Sequence, residues 1–306
     1  MWQPGSLTKP FNVPNVSRNK KLPVGRMDVE KYLKRIGCTG PLMPTLESLR
    51  HIHRRHLLSV PFENLTVHSG GQVRLELPHL YEKIVLQHRG GFCFENNGIF
   101  SWLLDQLGFR VTLLSAQVKN TFTQLYGPPF DHLVIMVTLG GERWLCDVGF
   151  GSGFELPISL ETEEPQTEEN GTFRIRCEGG TMFLETRDED QGERTSTPEH
   201  WTQKYKFTLQ PRQLEDFMAM CTYHQTSPSS IFYCKSLCSL LLPHGRVTYL
   251  GHKLTTTSLA GGSTTKTVRE LSDEEIPDLL KEIFGIELPG PIHPKDENIM
   301  LPPPIY

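Results

Sequence analysis

Hydrophobic positions in the first third of the chain recur at helical spacing. Over MDVEKYLKRIGC, Val29, Tyr32, Leu33 and Ile36 fall on one face, and Gly37 stands as a C-terminal stop. TLESLRHIHRRHLLSV repeats the amphipathic pattern and is ended by Pro61. Its His51, His53 and His56 lie among arginines and read as a solvated face. A third helix is predicted over ENNGIFSWLLDQLGF, beginning just after Cys93 and stopping at Gly108. Together these segments predict a small helical bundle.

From Arg110 the period changes to that of strands. RVTLLSAQV, HLVIMVTL and RWLCDVGF are β-branched and aromatic runs, the last two joined by a Gly140-Gly141-Glu142 hairpin. TFRIRCEGGTMFLETR adds a hairpin through Gly179-Gly180, and KYKFTLQP a further strand. Successive antiparallel strands predict a sheet or barrel. The acidic LETEEPQTEENG between them reads as an exposed loop. Beyond it, LEDFMAMCTYH is a predicted helix, and SLCSLLLPHGRVTYLGHKLTTT and TKTVREL are strand-like. SDEEIPDLLKEIFG is a predicted helix with Ser272 as N-cap and Glu275 completing a capping box. The Pro-rich end is expected to run extended over the surface.

Charge and targeting narrow the function classes. A net charge of −4 over 306 residues gives no overall basic field for nucleic acid or anionic membrane. No apolar run approaches the roughly 20 residues that span a bilayer, so no membrane partner is expected. Residues 1–26 carry prolines and basic residues without an apolar core, unlike a secretory signal, and read as a flexible extension. A cytoplasmic protein is expected, with its seven cysteines reduced and the sequons at Asn15, Asn64 and Asn170 unmodified. Cys234 and Cys238 lack a second Cys or His pair at zinc-like spacing, so no metal is expected.

The sharpest chemical feature is HRGGFCFENN, residues 88–97. Two glycines permit close backbone approach, and Cys93 falls at a predicted helix start, where free amides and the helix dipole favour a thiolate. Histidine is the usual group for taking a thiol proton, and His132 opens the apolar strand of FDHLVIMV. Asp147, in WLCDVGFG at the end of the next strand, is brought alongside by the hairpin and can fix the imidazole tautomer.

HRGGFCFENN, DHLVIMV and CDVGFG, in this order, resemble the arylamine N-acetyltransferase family. The likeness extends through VPFENLTVH, YKFTLQPRQLEDFMAMCTYHQTSPSSIF and LSDEEIPDLLKEIFGI, over roughly residues 27–288, and is nearest the vertebrate branch. It implies an α+β fold with an N-terminal helical bundle, a central antiparallel β-barrel, a C-terminal α/β lid and a papain-like cysteine site between the first two. The boundaries expected are a flexible extension (1–26), a bundle carrying Cys93 (27–108), a barrel carrying His132 and Asp147 (109–207), an inter-domain helical segment (208–243), and a lid with tail (244–306).

The resemblance also implies the activity: ping-pong transfer of acetyl from acetyl-CoA, through acetyl-Cys93, to arylamines, arylhydrazines and N-hydroxyarylamines. Arg89 and Glu63 are expected as a buried ion pair holding the cysteine loop, with Asn97 a hydrogen-bonding residue one turn past the nucleophile. Phe62, Val118, Asp131, Phe150 and Ser152 are expected on the acceptor side, and Tyr223 and Ser229 on CoA. A monomer is expected. The same three catalytic residue types also serve papain-like hydrolases and transglutaminases, and a silent aromatic-ligand binder is the reading from a different class. The chain departs from the family pattern in its extension, its Pro-rich tail and the PPFDH before the histidine.

Overall fold

Tyr32 and Ile36, both fully buried, anchor the first helix, α1 (Val29–Arg35), whose start is capped by the Asp28 carboxylate accepting from the Glu30 and Lys31 amides. The computed structural model describes residues 27–120, 123–187, 200–260 and 263–300; the extension before Met27 and the last six residues of the tail lie outside the described residues. Helix α2 (Leu46–Ser59), capped by Thr45, buries Leu49, Ile52, His53 and His56. There follow β1 (Phe62–Glu63), α3 (Leu65–His68) and α4 (Leu77–Tyr81), which runs on into a π-helical turn (Glu82–Leu86), and then α5 (Cys93–Gln106). Ile99, Phe100, Leu103 and Leu104 of α5 pack with Tyr32, Leu49 and Ile84 in one core.

Eight antiparallel strands form the central sheet: β2 (Arg110–Val118), β3 (His132–Leu139), β4 (Glu142–Cys146), β5 (Ile158–Ser159), β6 (Gln166–Glu168), β7 (Gly171–Glu178), β8 (Thr181–Arg187) and β9 (Trp201–Phe207). Their order is β5-β4-β3-β2-β9-β8-β7-β6. The two edges come together because the Gln166 amide accepts from Ser159 N–H at 2.8 Å and donates to its carbonyl at 3.0 Å. The result is a nearly closed barrel filled by Leu114, Val134, Leu145, Ile175, Leu184, Tyr205 and their neighbours. The acidic segment read as an exposed loop thus holds strand β6. The Glu168 carboxylate turns inward to receive the Glu155 and Leu156 amides at 2.7 and 2.8 Å, and burial pushes it up to about 7.

A short 3-10 turn (Leu214–Phe217), α6 (Met218–Thr226) and α7 (Ile231–Cys234) lead into the lid: β10 (Leu237–Leu242), β11 (Gly245–Leu250), β12 (Lys253–Ala260), β13 (Ser263–Glu270) and α8 (Glu275–Phe284). Two expectations change here. The 208–243 segment is not helical to its end, since β10 already belongs to the lid sheet. That sheet also recruits β1 from the helical region, in the order β1-β10-β11-β12-β13, with Phe62 opposite Ser239 and Glu63 opposite Cys238. Helix α8 starts later than the capping box suggested. Glu274 occupies its N-cap, although the Glu275 carboxylate still accepts from Ser272 N–H at 2.9 Å. The fold is α+β: helical bundle, barrel and α/β lid.

Candidate active site

Helix α5 opens at Cys93, in a loop pressed flat against the PFEN segment. A side chain on Gly90 would meet the Pro61 carbonyl oxygen at 1.9 Å, so only glycine allows this approach. The Asn96 side chain donates to the same carbonyl at 3.2 Å. Glu63, fully buried, accepts from Arg89 at 2.8 and 3.0 Å, from Leu65 N–H at 2.6 Å and from Gly90 N–H at 3.3 Å. Burial alone would push its carboxyl up, but Arg89, Lys83 and these donors outweigh it and hold Glu63 below the ordinary value. The expected Arg89–Glu63 pair is therefore in place. Breaking such a buried pair from one side typically costs about 3–5 kcal/mol.

His132 is the first residue of β3, opposite Ala116 of β2, and is 2 % exposed. Its Nε2 lies 2.7 Å from Asp147 Oδ2. An ionised carboxylate only accepts, so Nε2 carries the proton and Nδ1 is left for chemistry. Asn97, one turn after Cys93, ties three elements together. Its amide donates to Leu133 O at 2.7 Å and to Asp147 Oδ1 at 2.9 Å, and its carbonyl accepts from Val148 N–H at 2.8 Å. Gly149 N–H adds a further bond to Asp147 Oδ1 at 3.0 Å. Burial opposes ionisation of Asp147, but His132, Asn97 and Gly149 more than reverse this and hold it below the ordinary value. A side chain on Gly149 would come within 2.8 Å of Cys93 Cα, so the aspartate loop packs directly on the cysteine.

The thiol itself corrects an expectation. Cys93 is 2 % exposed, and burial, followed by the Asp131 and Asp147 carboxylates, pushes it well above the ordinary thiol value, against a single favourable contribution from the Leu133 backbone. The helix start alone does not make a resting thiolate. The Sγ lies 4.0 Å from the Asp131 carbonyl oxygen, so the thiol faces backbone on either side of His132.

Two histidines escaped the sequence reading. His53 and His56 are not on a solvated face: both are fully buried, and only His51 of the three is exposed. His53 bonds the Asp147 amide and the Glu155 carbonyl. Its spacing with Leu49, Ile52 and His56 on the inner face of α2 was the available signal. His224, in α6, reaches Asp131 O at 3.2 Å and Ser230 Oγ at 2.9 Å, with Asp131 Oδ1 at 3.5 Å. The Asp131 carboxylate accepts from Val118 N–H at 3.2 Å, and burial pushes it up to about 6. Tyr205 was likewise unread. Its ring lies 5.3 Å from those of His132 and Phe150.

Phe150 is half-buried with its ring 5.4 Å from His132, and Phe62 packs on Gly151 and, at 5.9 Å, on Phe232. Val118 and Asp131 are joined by the bond above. Ser152, in contrast, is exposed and lines a cavity of about 390 Å³ between barrel and lid, together with Glu155, Lys204 and Arg246. Arg246 of β11 donates to the Gly151 carbonyl. Tyr223 stacks edge-on to His224 at 5.5 Å, whereas Ser229 lies in the α6–α7 turn, where the tail binds back as Met300 N–H donates to Pro228 O at 2.9 Å.

A family model described as N-acetyltransferase matches residues 45–292. The pineal gland isozyme NAT-3 of Gallus gallus, an arylamine N-acetyltransferase, is 38 % identical over 275 residues, covering 86 % of this chain and 95 % of the relative. The chain belongs to the arylamine N-acetyltransferase family. Human arylamine N-acetyltransferase 1 is 35 % identical over 282 residues, 88 % of this chain and 97 % of that protein. The solved arylamine N-acetyltransferase of Salmonella typhimurium superposes with a TM-score of 0.76 at 30 % identity, over 84 % of this chain and 90 % of that one. The Mycobacterium marinum enzyme in complex with CoA does so at 0.74 and 29 %, over 85 % and 93 %. The protein is thus an acyltransferase of the arylamine N-acetyltransferase type.

Proposed function

We propose that the chain transfers acetyl from acetyl-CoA to aromatic amines by a two-stage mechanism through Cys93. The single observation carrying this reading is the buried His132–Asp147 bond of 2.7 Å, held against the cysteine by Asn97 and Gly149. Because burial and two carboxylates disfavour a lone thiolate, the Cys93 proton passes to His132 Nδ1 as the sulfur attacks the thioester carbonyl. The tetrahedral intermediate collapses, the CoA sulfur leaves and takes the proton from His132, and acetyl-Cys93 remains. An arylamine then attacks that thioester, His132 accepts its proton, and the Cys93 sulfur leaves and is reprotonated. Asp147 stabilises the imidazolium in both stages. The CoA complex of the Mycobacterium marinum relative favours this donor. Arylhydrazines fit the same route, and N-hydroxyarylamines fit it by O-acetylation.

Phe62, Val118 and Phe150 form the apolar slot for the aromatic acceptor, with Asp131 at its edge and Ser152 toward the lid. Tyr223 and Ser229 line the CoA approach. Seven free thiols suit a reducing, cytoplasmic setting, and a monomer suffices for a site built within one chain. Incubation with acetyl-CoA alone followed by intact-mass measurement tests the reading. One acetyl adduct, absent in Cys93→Ala and discharged by an aniline, is expected; a folded, reduced sample without adduct would refute it.

A further inference from the structure

Asp147 is held on its carboxylate side by residues already described, but its backbone is held by something else. Helix α2 sends His53, fully buried, under the 147–155 loop that carries Asp147, Phe150 and Ser152. The His53 Nε2 lies 3.1 Å from the Asp147 amide, and Nδ1 lies 2.7 Å from the Glu155 carbonyl oxygen. An amide N–H can only donate and a carbonyl can only accept, so geometry fixes the neutral ring with its proton on Nδ1. One imidazole thus binds the first amide and the last carbonyl of the loop.

The far end of the loop is a firm post. Glu155 and Leu156 donate to the Glu168 carboxylate, and the Glu155 side chain pairs with Arg54, the next residue on α2, at 2.9 Å. The ring is sandwiched as well, stacked on Phe154 at 5.7 Å and 10° and edge-on to Phe100 at 5.9 Å. Burial pushes His53 down to about 4, so Nε2 remains an acceptor at neutral pH; Asp147 and His56 are the titratable groups that bear on it.

We propose that His53 is a positioning residue for the reaction, a clamp across the mouth of the 147–155 loop that sets Asp147 behind His132 and Phe150 beside it. This rests on the catalytic reading of Asp147 given above. His53 touches no reacting atom. It acts by fixing the carboxylate that orients His132, and by fixing the loop that supplies the acceptor wall. A misplacement of about 1 Å in such a constellation can cost on the order of 10²-fold in rate.

The test compares His53→Phe, which keeps the aromatic sandwich and loses both hydrogen bonds, with His53→Gln, whose amide supplies one acceptor and one donor. Three readouts are taken on folded protein: the rate of acetyl-Cys93 formation, the pH profile of Cys93 alkylation by iodoacetamide, and KM for para-substituted anilines. His53→Phe is expected to slow acetylation by about 10²-fold, to displace the alkylation profile and to raise acceptor KM. His53→Gln is expected to recover most of each. Should His53→Phe not fold, His53→Asn, whose shorter amide is expected to keep only one of the two bonds, is expected to acetylate more slowly than His53→Gln and to show a displaced profile. The inference is overturned if the variants lower melting temperature while profile and rate stay at wild-type values, or if Gln recovers nothing. Absence of any acetyl-Cys93 in the wild type would instead remove the catalytic reading itself.

Discussion

Two aspartates, Asp131 and Asp147, flank the same histidine and experience opposite fates. Both are pushed toward the neutral acid by burial. Asp147 meets His132, the Asn97 amide and Gly149 N–H, and ends below the ordinary carboxylate value. Asp131 has the Val118 amide and the more distant charge of His132, and ends near 6. Asp131 is the less deeply buried of the two, its side chain 14 % exposed against 1 % for Asp147, yet it ends as the weaker acid because it lacks the direct His132 partner and the Asn97 and Gly149 donors that hold Asp147 down. In the mechanism proposed above, the fixed charge falls on the carboxylate that would stabilise an imidazolium, while both carboxylates, Asp131 the more, work against the thiolate.

The comparison breaks most visibly at Asp147. Asp147→Asn is expected to lower kcat/KM by about 10²–10⁴-fold, because Nε2 loses its anionic acceptor; steady-state assay of an arylamine checks it. Asn97→Ala comes next. It strips a donor from Asp147 and leaves the buried Leu133 carbonyl and Val148 amide unpaired, at about 1–3 kcal/mol for each buried group. Urea unfolding should show that loss, and activity should fall with it.

Asp131 sharpens the contrast through pH. Its folded value lies above its unfolded one, so the folded state holds the extra proton between about 4 and about 6, and stability is lost as pH rises through that window. Asp131→Asn should remove a penalty on the order of 1–3 kcal/mol at neutral pH. Melting temperatures of the two proteins should converge near pH 4 and separate by pH 7. Asp147 runs the other way: its contribution is present above the ordinary value and vanishes as pH falls through its lowered folded one. A comparable effect, about 1–3 kcal/mol read by denaturant midpoint, is expected from Ser230→Ala, which removes the hydroxyl partner of the buried His224 and the cap on Phe232 N–H.

Much of this arrangement was legible in the chain because it is local. The strand–Gly140-Gly141–strand hairpin set His132 and Asp147 side by side, and the Cys93 helix start followed from periodicity. The resemblance supplied Arg89–Glu63 and Asn97, and their bonds are present in the fold. What escaped depended on distant segments meeting. His53 sits between Ile52 and Arg54, and its charged neighbours masked its place on the inner face of α2. The thiol's surroundings were misjudged because a helix start can be read from sequence, whereas the depth of burial that raises the thiol, with Asp131 and Asp147 adding to it, cannot. Strand β1, two residues long, carries no periodic signal at all.

That short strand has a consequence for how ligands enter. Phe62, placed above in the proposed acceptor slot, packs on Gly151, while its own backbone, with that of Glu63, is stitched to the edge of the lid's sheet. A lid swinging away as a rigid door would carry one jamb of the doorway with it and unseat the post that steadies Arg89. On the proposed function, acetyl-CoA and amine are expected to enter with the β1–β10 edge left in place.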